Sequence, residues 1–235
     1  MIGIRTIISS FLGLGLSASP LYAQDFSRYR EFRFGTSLPI VAKQVRMKSA
    51  EAKTTHQRPA VIHELEWQAL YLDPNRPADS VRHILFSFYN NELFRLVVTY
   101  DRDHTEGLLA EDIIEAISAR YGVATKPGAE LILPSTYLPK DGEKIITERS
   151  EKVIARWEDA QYSYNLFQPY PTAPFGLVIY AKRLDALART AIAEAVRLDK
   201  QEASQRESER QKNIDAAVRA EQAKARRANK VPFRP

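Results

Sequence analysis

The sequence predicts an α+β fold: two helix-plus-three-strand antiparallel units followed by a long C-terminal helix. Three observations predict it. Short runs with period-two alternation recur along the chain, at Val61 to Tyr71, Val81 to Tyr89 and Leu93 to Tyr100. Apolar residues at three-and-four spacing precede such runs twice, at Leu38 to Met47 and at Leu108 to Tyr121. From Arg183 to Ala228 there is neither glycine nor proline, and alanine, glutamate, arginine, lysine and glutamine dominate.

At the N-terminus, Arg5 precedes the uncharged stretch Thr6 to Ala18, and Ser19-Pro20-Leu21-Tyr22-Ala23 then offers small residues before Gln24-Asp25. This order of basic, apolar and small residues is that of a secretory signal peptide over residues 1–23, and the apolar stretch is too short for the roughly 20 residues of a membrane span. Cleavage after Ala23 is expected, with Ala18 or Ser19 as the other sites and an uncleaved anchor as the alternative. The body then runs over 24–182. After an aromatic lead-in (Phe26, Tyr29, Phe32, Phe34), Gly35 and Thr36-Ser37 cap a first helix through Leu38, Val41, Val45 and Met47. A polar loop is expected from Ser49 to Arg58. In the strand that follows, Leu65, Trp67, Ala69 and Tyr71 alternate with Glu64, Glu66 and Gln68, until Pro74 and Pro77 close it.

Asn90-Asn91 joins the next two runs as a tight hairpin, because asparagine tolerates the positive φ that such a turn requires. The second helix carries Leu108, Leu109, Ile113, Ile114, Ile117 and Tyr121 on one face and ends at Gly122. Between Val123 and Ser150, Pro127, Gly128, Pro134, Pro139 and Gly142 predict a long exposed loop, with one short strand at Leu131 to Leu133. Three strands are expected after it, at Lys152 to Trp157, Gln161 to Gln168 and Gly176 to Lys182. Units of 32–100 and 105–182 then share one element order, and Leu65-Glu66-Trp67 in the first answers Ala155-Arg156-Trp157 in the second.

The order resembles the small αβββ modules of exported bacterial proteins, the β-lactamase-inhibitor-protein-like and outer-membrane-assembly (BamE-like) families. Phe34-Gly35-Thr36-Ser37-Leu38-Pro39-Ile40-Val41, similar to the glycine-then-helix opening of those modules, and the Phe86 to Tyr100 hairpin carry the resemblance. It spans about Phe32 to Lys182. This chain departs from those families in lacking a lipobox cysteine, in having no glycine to close its first helix, and in its long loop and added C-terminal helix. The resemblance implies protein-binding or envelope-scaffold work without catalysis, and it transfers no functional residue.

With no cysteine, the chain cannot form a disulfide framework, a thiolate zinc site or a cysteine nucleophile. Asp101, Asp103 and Asp112 fall at positions 1, 3 and 12 of a calcium-loop template, but Glu106 stands where the sharp-turn glycine belongs. The expected role of this acidic run, with Thr105, is to cap the second helix. His63 and His83 lie at opposite ends of paired strands, so they cannot share an ion, and His104 beside Asp103 is turn chemistry. No metalloprotease, nucleophile-elbow or phosphate-loop spacing occurs after the N-terminal segment. No cofactor, no metal and no specific nucleic-acid partner is expected.

Two surfaces are candidates for binding. One is aromatic: Tyr162, Tyr164, Tyr170 and Phe175 lie on the last strands and the proline-rich turn between them, and tyrosine-rich surface suits contact with protein or glycan. The other is basic. The net charge is +5, and residues 182–235 hold 14 basic and 8 acidic residues, which leaves the rest of the chain at −1. Asp185 with Arg189, Glu202 with Arg206 and Asp215 with Arg219 are at helical ion-pair spacing. Lys224, Arg226, Arg227 and Lys230 are not, and this end could dock on an anionic surface. The segment 183–235 is expected to be a long charged helix with a partly disordered tail. Its apolar stripe, Leu184 to Leu198, thins to Ile214, Ala217 and Val218, too few for a sustained coiled coil without a partner helix.

Taken together, the sequence points to an exported, periplasmic or secreted, non-catalytic binding or scaffold protein of the bacterial envelope. Its expected partner is another envelope protein or a glycan, with no transmembrane helix in the mature chain. A small periplasmic hydrolase with dispersed carboxylate chemistry is the alternative.

Overall fold

A computed structural model of the protein describes residues 24–69, 80–137 and 145–230. The expected signal peptide and the prolines that close the first strand lie outside the described residues.

The lead-in forms a miniature ribbon, β1 (Arg28–Tyr29) and β2 (Phe32–Arg33), with Arg30 at φ 54° in the turn. Helix α1 (Leu38–Gln44) starts with Pro39 in its first turn, where a missing N–H costs nothing. It stops earlier than the apolar spacing predicts. Arg46 takes a φ of 58° and the Met47 amide turns back to the Ala42 carbonyl at 2.8 Å, so Met47 packs on the core from outside the helix. The expected polar loop contains β3 (Lys53–His56), which pairs with β4 (Ile62–Gln68). Four polar residues at a sheet edge carry no alternation by which to be recognised.

The hairpin β5 (Val81–Tyr89) and β6 (Glu92–Tyr100) forms as expected, with Asn90 at φ 46° and Asn91 at φ 72°. Both side chains are used. The Val61 amide donates to Asn90 Oδ1 at 2.9 Å, and the Leu38 amide donates to Asn91 Oδ1 at 3.2 Å, which ties α1 to the turn. A single helical turn, α2 (Arg102–Thr105), precedes α3 (Ala110–Tyr121), and Gly122 closes α3 at φ 78°. Its carbonyl accepts the Trp157 indole N–H at 3.0 Å, a contact that fixes the helix end against the sheet.

The long loop expected over 123–150 is replaced by a ribbon. β7 (Glu130–Tyr137) pairs along its whole length with β8 (Ile145–Glu158), from Glu130 opposite Lys152 to Tyr137 opposite Ile145. Only Val153 to Glu158 of β8 continues into the sheet, pairing with β9 (Tyr162–Phe167). Leu131 in β7 is buried with Val153, Phe167 and Val178, and Pro127, Gly128 and Pro134 around it hide the strand in the sequence. Pro134 is tolerated in β7 because an edge strand has ladder partners on one side only. β10 (Gly176–Ala181) completes the sheet, in the order β3-β4-β5-β6-β10-β9-β8-β7, all antiparallel. The sequence predicts three strands in each unit; the sheet has four on each side of the β6–β10 pairing.

Register assigns the two faces. Leu65, Phe86, Leu96, Ile179, Tyr164 and Trp157 stand in one row across six strands, and all are buried. The lead-in and α3 cover this row: Phe32 meets Phe86 edge-on at 4.8 Å, and Tyr121 meets Tyr164 at 4.5 Å. The other face is mixed. Ser87, Arg95, Ser163 and Asn165 are buried polar residues there, and Asn165 is satisfied by Arg156 Nε at 2.6 Å and by Ser163 Oγ at 3.0 Å. Phe167 lies over Gly176, where an added Cβ would come within 2.3 Å of the ring.

Helix α4 (Lys182–Lys230) follows β10 directly and is 49 residues long, about 73 Å at 1.5 Å per residue. Leu184, Ala188, Ala191 and Ala195 are buried, as the narrow stripe predicts. The fold is therefore mixed helix and antiparallel sheet with a long C-terminal helix. Among the described residues, no helix is long and apolar enough to cross a membrane.

Candidate functional site

The aromatic candidates separate on burial. Tyr164 is fully buried, and its hydroxyl donates to the Arg28 carbonyl at 2.6 Å, with the Phe26 carbonyl 3.3 Å away. Burial raises its phenol well above the ordinary range. Phe175 is also buried. Tyr162 is half-buried and stacks on Phe34 at 5.5 Å. Only Tyr170, 57% exposed, remains available as aromatic surface. The expectation of an exposed tyrosine patch is corrected for a physical reason: the lead-in folds back over β9, so residues that alternate onto that face enter the core.

Two of the three acidic candidates, Asp101 and Asp112, accept backbone amides. Asp101 Oδ1 accepts the Asp103 amide at 2.8 Å at the start of α2, and Asp112 Oδ2 accepts the Leu109 amide at 2.7 Å at the start of α3. Thr105, expected to cap α3, instead donates back to the Asp101 carbonyl at 2.8 Å. The aspartates serve two separate helices, and no group of three or more acidic or histidine side chains converges among the described residues. His83 lies 3.2 Å from Glu66, His104 lies 3.7 Å from Asp101, and His63 Nδ1 is buried without a hydrogen-bond partner.

The basic candidates converge on one feature, the free part of α4. Its root is fastened in three places. Lys182 bonds Glu158 at 2.8 Å and the Asp159 carbonyl at 2.7 Å. Arg95 on β6 reaches Asp185, whose other oxygen accepts Arg189 Nε at 2.7 Å. Arg58, in the β3–β4 connection, bonds Asp199 at 3.2 Å and also Glu202. These bonds hold the Arg58 guanidinium protonated to higher pH and the Glu202 carboxyl to lower pH than usual.

Beyond Glu202 the helix stands clear of the body. Every side chain described between Ala203 and Lys230 is exposed, including Ile214 at 47% and Val218 at 48%. The shallow hollow lined by Arg206, Glu209, Arg210, Asn213, Ile214 and Ala217 lies on this helix alone. Internal pairs are few: Arg206 with Glu202 at 3.4 Å, Arg210 with Glu207 at 4.0 Å, and Gln211 with Asp215 at 2.9 Å. Arg219 bonds the Asp215 carbonyl at 3.2 Å, not the carboxylate expected from the spacing. Lys224, Arg226, Arg227 and Lys230 occupy the last turns of a continuous helix. The two buried anchors, Arg95 and Asp185, were not among the sequence candidates. Arg95 gave one signal, a charge inside the apolar run Leu93 to Val98.

Comparison with protein-family models, with curated proteins and with solved structures finds no match. The arrangement described here can make non-covalent contacts along an exposed, charged helix that a folded body holds by its root.

Proposed function

We propose that the chain is an exported, non-catalytic binding or scaffold protein of the bacterial envelope, and that α4 is its binding element. One observation carries the reading: 28 residues of regular helix, Ala203 to Lys230, continue past the last contact with the body and have no packing partner among the described residues. An isolated helix gains little from propensity alone and is stabilised chiefly by burying a face. Such an arm is therefore suited to a surface outside the chain. In this reading residues 1–23 are a secretory signal peptide, and the protein works in the periplasm or outside the cell. The sheet is read as two αββββ units joined at β6 and β10, forming a rigid platform for the arm.

The test places a photo-cross-linking residue at Ile214 in cells expressing the chain, with the N-terminus of the fractionated protein identified by mass spectrometry. A discrete adduct and a new N-terminus between Ser19 and Gln24 are expected. An intact Met1 in the soluble fraction would overturn export, and absence of any adduct at Ile214 together with absence of binding to an anionic surface would overturn the binding role of the arm.

A further inference from the structure

We infer that the basic side of the α4 arm lies flat on the headgroup surface of an anionic lipid bilayer, held by charge and not by insertion; this rests on the reading of α4 as the binding element. At 3.6 residues per turn, residues seven apart drift by only about 20° around a straight helix. Lys212, Arg219 and Arg226 are spaced in this way, Lys230 follows four residues later, and Ala216 and Ala223 fall between them. The result is a straight basic track about 27 Å long, with small side chains between the charges so that the helix can approach a plane closely. Arg227 borders it. Asp215 is the acidic residue nearest this track, and Glu221 points to the opposite side.

The opposite side carries Ile214, Ala217, Val218, Ala225 and Ala228. An inserting interfacial helix presents large apolar side chains such as Trp, Phe and Leu on the face away from its charges. Here the side opposite the basic track has only Ile214 and Val218 among alanines, with Glu221 in its middle, so it supplies no inserting face. The basic track has the charge density, and it faces a flat anionic surface without deforming either partner. Nothing in α4 is aromatic, so the stacking contacts that single-stranded nucleic acid would use are missing. The track begins about 15 Å beyond Glu202, the last residue fastened to the body, so the arm reaches a membrane without the body being drawn onto it.

The test uses the purified chain, in the N-terminal form in which cells yield it, with vesicles of phosphatidylcholine alone or with one third phosphatidylglycerol. Binding to the anionic vesicles only is expected, and it should be lost when salt rises from about 0.1 M to about 0.5 M, because the Debye length shrinks below about 5 Å. Each Lys or Arg near such a surface contributes about fivefold in affinity. A variant with Lys212, Arg219, Arg226 and Lys230 changed to Gln should therefore bind more than about 100-fold more weakly, whereas Ile214→Asp should bind as before. Circular dichroism checks that both remain helical. Equal binding to neutral vesicles, full binding by the glutamine variant, loss of binding in Ile214→Asp, or tighter binding to a DNA duplex at the same salt would each overturn the proposal. If vesicle binding fails while the Ile214 cross-link persists, the arm binds a protein and the binding reading stands. If the cross-link is also absent, both fall.

Discussion

Arg95 and Asp185, ninety positions apart in sequence, meet in the layer between β6 and the root of α4. The Arg95 Nε donates to Asp185 Oδ1 at 2.8 Å, and the side chains retain only 10% and 4% exposure. Arg189 takes the second carboxylate oxygen, so one aspartate joins the sheet to the helix and the helix to itself. Asp185 is thereby one of the anchors that hold the root of a helix of about 73 Å on the body.

Asp185→Asn leaves Arg95 buried without its counter-charge. Removing one member of a buried pair typically costs about 3 to 5 kcal/mol, whereas replacing both members with apolar residues of similar size is often neutral. Denaturant unfolding should show the large loss in the single variant and recovery of most of it in Arg95→Met with Asp185→Leu. Additive losses in the double variant would show that the pair is not coupled.

In the hairpin, Phe86 and Val98 are fully buried on the row that faces the lead-in and α3. Phe86→Ala or Val98→Ala should each cost roughly 2 to 5 kcal/mol through lost transfer energy and a residual cavity. Arg102→Ala, on an exposed turn, should cost far less. Equal losses at all three sites would place the core elsewhere.

Deleting Asp199 to Pro235 removes the arm and the exposed partners of Arg58, but leaves Leu184, Ala188, Ala191 and Ala195 in place. The truncated chain should fold with a nearly unchanged thermal midpoint and lose its salt-sensitive binding to anionic vesicles. Unfolding of this chain in a thermal melt would mean that the arm supports the body.

Alkaline pH should weaken the fold from about pH 10 upward. Burial raises the phenols of Tyr29, Tyr100 and Tyr164. In the unfolded chain these groups ionise near their ordinary value of about 10, while the folded chain keeps its protons to higher pH. Their contribution is therefore complete below pH 10 and falls as pH rises toward the folded values, by at most about 1.4 kcal/mol per pH unit for each group. Unfolding free energy measured at pH 8, 10 and 11 should show this decline, with a shallower slope in Tyr164→Phe. A flat profile to pH 11 would contradict it.

Local chemistry determined much of this protein. Asn90-Asn91 specified a positive-φ turn, Gly122 a helix end, and the glycine- and proline-free run after Arg183 a helix that continues to Lys230. The alternating runs marked strands because each has one face in the core, and the physical cause of that pattern is local to the strand. The polar edge strand β3 lacks that pattern, and both β3 and the β7–β8 ribbon are held by pairing with a neighbour that sequence spacing does not name. The same limit governs the candidate sites. Whether Tyr164 was surface or core depended on a lead-in folded across it from more than a hundred residues away, and only the tertiary structure decided it. The buried union of Arg95 with Asp185 likewise required two elements to meet. The basic end of α4 could be read from sequence because an exposed helix has no neighbour to change its meaning.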